Sequence, residues 1–437
     1  MREPKLKVHN DGEAQGRLVR IEKPIYGGSF LARDEGKAVF VPLALPGEHA
    51  RVRIVDEKRG YSSAEIDEIV SAAPERTVPD CRHFGACGGC QYQHTDYVTQ
   101  LRLKREILHE TLERAGVQAP LELDVLAGKP WEYRNRIRLA FDPSGRVGYR
   151  GRRSHEVVAI EECPIAAPLL VSAALATAEV LRDFKATVRP SELALFCSGD
   201  ESALLASVFV KAPQKGGFND FANALSERIP ALRGMELVLE GRQGRHASRL
   251  ALWGETAIAY PAGGFGYRVG QGAFFQVNRW LVDALLERVT APYKGRLAWD
   301  LFAGVGLFAR RLASSFERVV AVESAAAATR ALADNLSGMR GTCVAEETLK
   351  FLRSRSRDGQ PDLIVVDPPR AGLGEATTSL IADTNTSALV YVSCDPATLA
   401  RDLRTLIGAG YKLESMTLAD LFPQTFHLET VVHLRRS

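Results

Sequence analysis

The chain has 437 residues, 46% hydrophobic and 25% charged, with a formal net charge of +3 at pH 7. That length holds about three domains with full cores and excludes a disulfide-stapled mini-protein. No apolar run of about 18 residues and no signal-peptide core follows Met1, so a cytoplasmic protein that stays out of membranes is expected, and the near-neutral balance leaves any nucleic-acid binding to local clusters.

From Arg17 to Val70 short runs of alternating pattern are punctuated by Gly27-Gly28 and Pro46-Gly47, which predicts a small five-stranded barrel. Barrels of this size commonly bind oligonucleotides on an open face; a β module that merely packs on its neighbour is the other reading. Seven cysteines in so long a chain are no disulfide framework. Cys81, Cys87 and Cys90 stand in a C-x5-C-x2-C arrangement on a Gly-rich segment, and Cys163, followed by Pro164, offers a fourth thiol that Cys197 lacks the proline to match. Thiolates so placed point to a metal, either an iron-sulfur cluster or a structural zinc, and the C-x5-C gap is wider than zinc knuckles use.

Tyr97 to Ala115 has helical period and reads as an amphipathic helix. From Lys129 to Arg153 basic residues dominate: Lys129, Arg134, Arg136, Arg138, Arg146, Arg150, Arg152 and Arg153 alternate with Trp131, Tyr133, Phe141 and Tyr149. Cations contact phosphates and aromatic faces stack unpaired bases, so this segment is expected to touch RNA or DNA; a solvated hairpin is the alternative.

Gly263 to Asn278 ends in Phe-Phe-Gln-Val-Asn and is expected to open a helix at Arg279. Arg296 to Ala309, RLAWDLFAGVGLFA, reads as a strand, then Gly304 and Gly306 at the start of a helix, and the following strand ends in Glu323. The glycines let backbone approach a nucleotide-like ligand and the carboxylate suits ribose hydroxyls. With Ala309 the spacing also fits a dinucleotide site, which keeps an NAD-dependent oxidoreductase open. In DLIVVDPPRAGLG a strand ends at Asp367 and two prolines fix an extended turn, an element such an oxidoreductase does not require.

Ala388 to Leu403, ALVYVSCDPATLARDL, is a strand, a turn and a helix, with Cys394 at the carboxyl end of the strand, where a parallel sheet opens onto its ligand crevice. A thiol there is placed as a nucleophile, or else is a small buried apolar residue. Asp420 to Leu434 reads as turn residues and then an alternating strand in which Glu429 is unusual for a core position.

These motifs, in this order, closely resemble the RNA 5-methyluridine methyltransferase family along nearly the whole chain. The resemblance implies a TRAM-type barrel over residues 1–72, a central α+β RNA-binding domain with a [4Fe-4S] cluster over 73–262, and a doubly wound class I S-adenosylmethionine-dependent methyltransferase domain over 263–437. It implies cluster ligands Cys81, Cys87, Cys90 and Cys163, a cluster with a structural role, cofactor contacts at Gln276, Phe302, Gly304, Gly306, Glu323 and Asp367, Cys394 as nucleophile and Glu429 as general base. Leu307 departs from members that carry Asn there, and the helix from Tyr97 is expected to pack on the catalytic domain. The expected reaction is methylation of a uridine C5 through a covalent bond from Cys394 to C6 in a monomeric enzyme. Barrel and cysteine cluster together favour ribosomal RNA, with transfer RNA as the alternative. A non-catalytic RNA-binding protein is the competing class, and it leaves Cys394 and Glu429 without a use.

Overall fold

The computed structural model describes residues 16–120, 123–184, 188–214, 216–241, 247–354 and 359–436. Buried residues recur along β1 (Arg17–Pro24), β2 (Ser29–Asp34), β3 (Lys37–Pro42), β4 (His49–Glu57) and β5 (Tyr61–Ser71), which close into a barrel in the order β1-β2-β3-β5-β4. Val19, Ile21, Phe30, Val39, Val41 and Val52 fill it. The first 15 residues assigned to this domain lie outside the described residues. At the β1-β2 turn Gly28 has φ +85°, and a Cβ there would lie 2.8 Å from Cγ of Gln91, so the barrel docks by that turn on the cysteine segment.

Asp96 caps α1 (Tyr97–Arg114) by accepting the Thr99 N–H at 2.7 Å, and Gly116 ends it in the left-handed region. Its apolar residues Ile107, Leu108 and Leu112 belong to the core of the catalytic sheet. After β6 (Asp124–Leu126) come β7 (Arg136–Phe141), β8 (Val147–Arg150), β9 (Val157–Ala159), α2 (Pro168–Val180), β10 (Pro190–Cys197), β11 (Leu204–Val210), α3 (Phe218–Arg228), β12 (Leu232–Leu239) and β13 (Ser248–Gly254). Their strands form a sheet in the order β13-β12-β11-β10-β7-β8-β9, and β14 (Ala257–Ala262) pairs with β15 (Phe265–Gly270) as a separate hairpin.

The catalytic domain continues through α4 (Val282–Thr290), β16 (Gly295–Leu301), α5 (Leu307–Leu312), β17 (Phe316–Glu323), α6 (Ala326–Leu336), β18 (Gly341–Ala345), α7 (Thr348–Ser354), β19 (Leu363–Val366), α8 (Gly374–Ala382), β20 (Ala388–Ser393), α9 (Pro396–Gly408), β21 (Tyr411–Ala419) and β22 (Glu429–Arg436). Strand order is β18-β17-β16-β19-β20-β22-β21-β6, parallel from β18 to β20, with β22 antiparallel between β20 and β21. Helices cover both faces, so β22 is buried along its first six residues instead of alternating as expected from the sequence. The far edge strand, β6, is contributed from before the central sheet and runs parallel to β21. The helix expected at Arg279 begins at Val282: the Asn278 side chain accepts the Trp280 N–H at 3.0 Å and donates to Leu421 O, holding a turn there first. Among the described residues no helix is long and apolar enough to cross a membrane.

Candidate active site

The strand order reverses at β16, whose neighbours β17 and β19 lie on its two sides, and the carboxyl ends of these strands and β20 frame one crevice. Asp395 caps α9 by accepting the N–H groups of Ala397 and Thr398, each at 3.0 Å, and Pro396 occupies the first helical turn. Cys394 is thereby fixed, half-buried, between the end of β20 and a helix N-terminus. The antiparallel ladder of β20 and β22 ends with Ser393 facing Thr430, and Cys394 and Glu429 flank that last pair, close enough for the Glu429 carboxylate to act on the Cys394 thiol.

The electrostatics of the pair are unusual. Burial pushes the Cys394 thiol up to about 12, with the nearby Glu429 and Asp367 adding to the effect and Arg370 opposing it. Burial, and next to it Asp367, likewise holds the Glu429 carboxyl well above the usual carboxylate range, against the pull of Arg370 and Lys104. Burial raises Asp367 to about 7. Three more residues that sequence reasoning left unassigned belong here. Arg370 follows the two prolines and contacts His427 at 3.3 Å. Tyr26, from the β1-β2 turn of the barrel, donates its hydroxyl to Cys394 O at 3.1 Å and sets its ring edge-on to Phe426. Lys104 is described below. Arg370 stood in a quoted motif, whereas nothing local in the sequence marks Tyr26.

On the other side of the crevice, Glu323 accepts the N–H groups of Gly304 at 2.9 Å, Ser324 at 2.7 Å and Ala325 at 2.6 Å. Phe302 takes φ +65°, strained for a non-glycine residue, followed by Gly304 at +56° and Gly306 at +88°. A Cβ on Gly304 would meet no atom within 4 Å, whereas one on Gly306 would strike Leu332 at 2.6 Å, so the first glycine faces open space and the second packs. Gln276 Nε2 reaches Asp367 Oδ2 at 3.5 Å. Leu307 is buried and its carbonyl accepts from Tyr267 at 2.9 Å. Asp300, at the end of β16, has one oxygen bonded to the Ala309 N–H at 2.8 Å and the other buried without a partner; burial lifts it to about 8. Its signal in the sequence was an acid near the end of an apolar strand, in the quoted motif that gave Phe302 and the glycines. Open space over Gly304, a fixed carboxylate at Glu323 and an acid-rich rim fit a cationic nucleoside cofactor.

Cys81, Cys87, Cys90 and Cys163 line one cavity with Phe84, Tyr149 and Arg134. Burial raises the first three thiols, Cys90 to about 12, and the Cys163 side chain lies close enough to reinforce each. Among the described residues no group of three or more His, Cys, Asp or Glu side chains is arranged to hold a metal ion.

The basic segment is laced with ion pairs. Arg138 and Arg150 both pair with Glu192 of β10 at 2.6 and 3.1 Å, Arg146 with Asp142 at 2.8 Å, and Arg152 with Glu65 of the barrel at 3.6 Å. Arg136 lies over the Phe196 ring, and Tyr133 is buried with its hydroxyl on Pro423 O at 3.0 Å. The segment therefore joins domains as much as it presents charge.

The tRNA (uracil-5-)-methyltransferase family model matches residues 262–437, and the TRAM domain model matches residues 13–66. An RNA methyltransferase of Aquifex aeolicus is 33% identical over 421 residues, covering 95% of this chain and 97% of that protein. The 23S rRNA (uracil(1939)-C(5))-methyltransferase of Chromohalobacter salexigens is 32% identical over 443 residues, covering 98% and 90%. The crystal structure of Pyrococcus abyssi tRNA (uracil-54, C5)-methyltransferase with S-adenosyl-L-homocysteine shares the fold, with a TM-score of 0.78, 24% identity and coverage of 95% of this chain and 99% of that one. With relatives at this identity along nearly its full length, the chain belongs to the RNA uracil-5-methyltransferase family.

Proposed function

We propose that the protein methylates C5 of a uridine in 23S ribosomal RNA, with Cys394 as nucleophile and Glu429 as general base. The observation that supports this reading is that Cys394 and Glu429 flank the last ladder pair, Ser393 with Thr430, at the mouth of a crevice whose other wall suits a nucleoside cofactor. Bound S-adenosylmethionine supplies an electrophilic methyl group; Glu323 would hold its ribose, Gly304 its close approach, and Asp300, Asp367 and Gln276 the surrounding polar shell. The Cys394 thiolate adds to C6 of uracil, and the C5=C6 electrons move toward the C4 carbonyl as an enolate. C5 then takes the methyl group, and the electrons of the broken S–CH3 bond stay on the sulfur of the departing S-adenosylhomocysteine. Glu429 removes the C5 proton, those electrons restore C5=C6, and the C6–S bond breaks to return Cys394 as thiolate. Arg370 is the nearby cation that favours the thiolate form. The target base must leave its stack to reach Cys394.

Ribosomal RNA is supported by the names of the bacterial relatives, which match at higher identity than the archaeal transfer RNA enzyme. We further read Cys81, Cys87, Cys90 and Cys163 as the ligands of a structural [4Fe-4S] cluster, supported by their spacing and shared cavity. The domain limits 1–72, 73–262 and 263–437 stand as our assignment, with α1 packing on the catalytic sheet as expected and β6 added to it. The test is incubation of the protein and S-adenosylmethionine with 5-fluorouridine-substituted ribosomal or transfer RNA. Fluorine at C5 cannot leave as a proton, so a denaturation-stable adduct is expected with ribosomal RNA, lost in Cys394→Ala and kept in Glu429→Gln. An adduct with transfer RNA alone would move the substrate, and none with either RNA would refute the mechanism.

A further inference from the structure

Glu429 is delivered by the loop from Asp420 to Leu428, and much of what holds that loop comes from outside residues 262–437. Asp420 N–H donates to Leu126 O at 2.8 Å, and the N–H groups of Gln91 and Tyr92 both donate to Gln424 O at 2.9 and 3.0 Å. Gln424 is buried with φ +68°, a conformation that a non-glycine side chain keeps only when its surroundings dictate it. Two residues one turn apart on α1 do much of the dictating. The Gln100 amide donates to Gln424 Oε1 at 2.9 Å and accepts the Gln424 N–H at 2.9 Å. Lys104 Nζ donates to Asp420 Oδ1 at 2.6 Å and to Phe422 O at 3.0 Å, with both charged side chains fully buried.

A buried ion pair is a costly way to fasten a helix, because desolvating two charges offsets most of their attraction and apolar side chains of similar size do as well. The position of the ammonium gives it a use. The groups facing Glu429 are Asp367 and Arg370 beyond β19, Cys394 beyond β20, Tyr26 from the barrel and Lys104 from α1. Burial and Asp367 favour the protonated carboxyl; Arg370 and Lys104 favour the carboxylate, which alone can take a proton.

We propose that Lys104 is a positioning residue for abstraction of the C5 proton: with Gln100 it fixes the Asp420 to Leu428 loop that delivers Glu429. The proposal rests on Glu429 being the base. It assigns the helix before the central sheet a part in the last chemical step and none in the first two.

The test uses the full chain and RNA tritiated at uridine C5, following methyl transfer, tritium release and covalent adduct in single turnovers between about pH 6 and 9. For Lys104→Met, methyl transfer within about threefold of wild type is expected, with tritium release slowed at least about tenfold and adduct accumulating. Lys104→Met with Asp420→Asn leaves no orphaned carboxylate and serves where the single variant does not fold; it also slows release relative to methyl transfer. A folded variant of either kind that releases tritium at the wild-type rate overturns the proposal, and so does equal slowing of methyl transfer and release. Glu429→Gln is the reference. If it releases tritium at the wild-type rate, the base assignment itself is wrong; if it stalls as adduct while the Lys104 variants behave as wild type, only the role of Lys104 fails.

Discussion

Asp300→Asn tests the electrostatics of the cofactor wall. The carboxyl sits fully buried at the end of β16, with one oxygen on the Ala309 N–H and the other without a partner, and burial lifts it from 3.8 to about 8. Between those values the folded chain keeps a proton that the unfolded chain has released, so stability falls as pH rises, by about 1.4 kcal/mol per pH unit for one group. Asparagine keeps the bond to Ala309 through its carbonyl oxygen and carries no charge. The slope belonging to this residue should vanish, so that by pH 7 the variant has gained on the order of 3 kcal/mol over wild type relative to pH 5. A chain of several domains has no single unfolding free energy. The measurement is therefore hydrogen exchange of the amides of β16 by mass spectrometry at the two pH values, corrected for intrinsic rates. Parallel pH profiles for wild type and Asp300→Asn would refute the argument. A cationic cofactor favours the ionised carboxylate, so S-adenosylmethionine should protect β16 more at pH 7 than at pH 5, and this difference should shrink in the variant.

Gly304→Ala puts a Cβ at φ +56°, a strain of about 1–3 kcal/mol with no atom in its way, and should weaken S-adenosylmethionine at least about tenfold by filling the space over the turn; titration calorimetry reads the affinity and hydrogen exchange of β16 the local stability. Tyr26→Phe removes one hydrogen bond to the Cys394 carbonyl, worth about 1 kcal/mol, so adduct formation with 5-fluorouridine RNA should slow about fivefold while cofactor affinity holds. Anaerobically purified protein should carry iron and acid-labile sulfide and no zinc by elemental analysis, and Cys163→Ser should lose the iron.

Local pattern made part of this site legible. Cys394 could be placed because an apolar run, a Pro after an N-capping Asp and a helical period all fall within Ala388 to Leu403. The glycine turn and Glu323 were readable for the same reason. The proximity of Cys394 and Glu429 was not, because it depends on β22 inserting between β20 and β21, a choice of neighbours that periodicity does not encode. Lys104 lies beside Leu103 on a stripe with Ile107 and Leu108, so it passes for the flank of an amphipathic helix; its partner Asp420 is 316 residues away. The partners of the basic run from Lys129 to Arg153 were not legible for a related reason: charges counted along the chain take no account of Glu192, which β10 brings beside Arg138 and Arg150.

The early placement of α1 and β6 sets a schedule for the ribosome. Their partners on the catalytic sheet, β21 and α9, are translated almost 300 residues later. At synthesis rates of about 5–20 residues per second the nascent chain carries Ile107, Leu108, Leu112 and an unpaired Lys104 for roughly 15–60 s before anything can cover them. The barrel and the central sheet can close in that interval, but the enzyme's own interior cannot. During this wait the chain is most exposed to misassociation, and a chaperone that holds the emerging helix should raise the yield of active enzyme more than one acting on the finished chain.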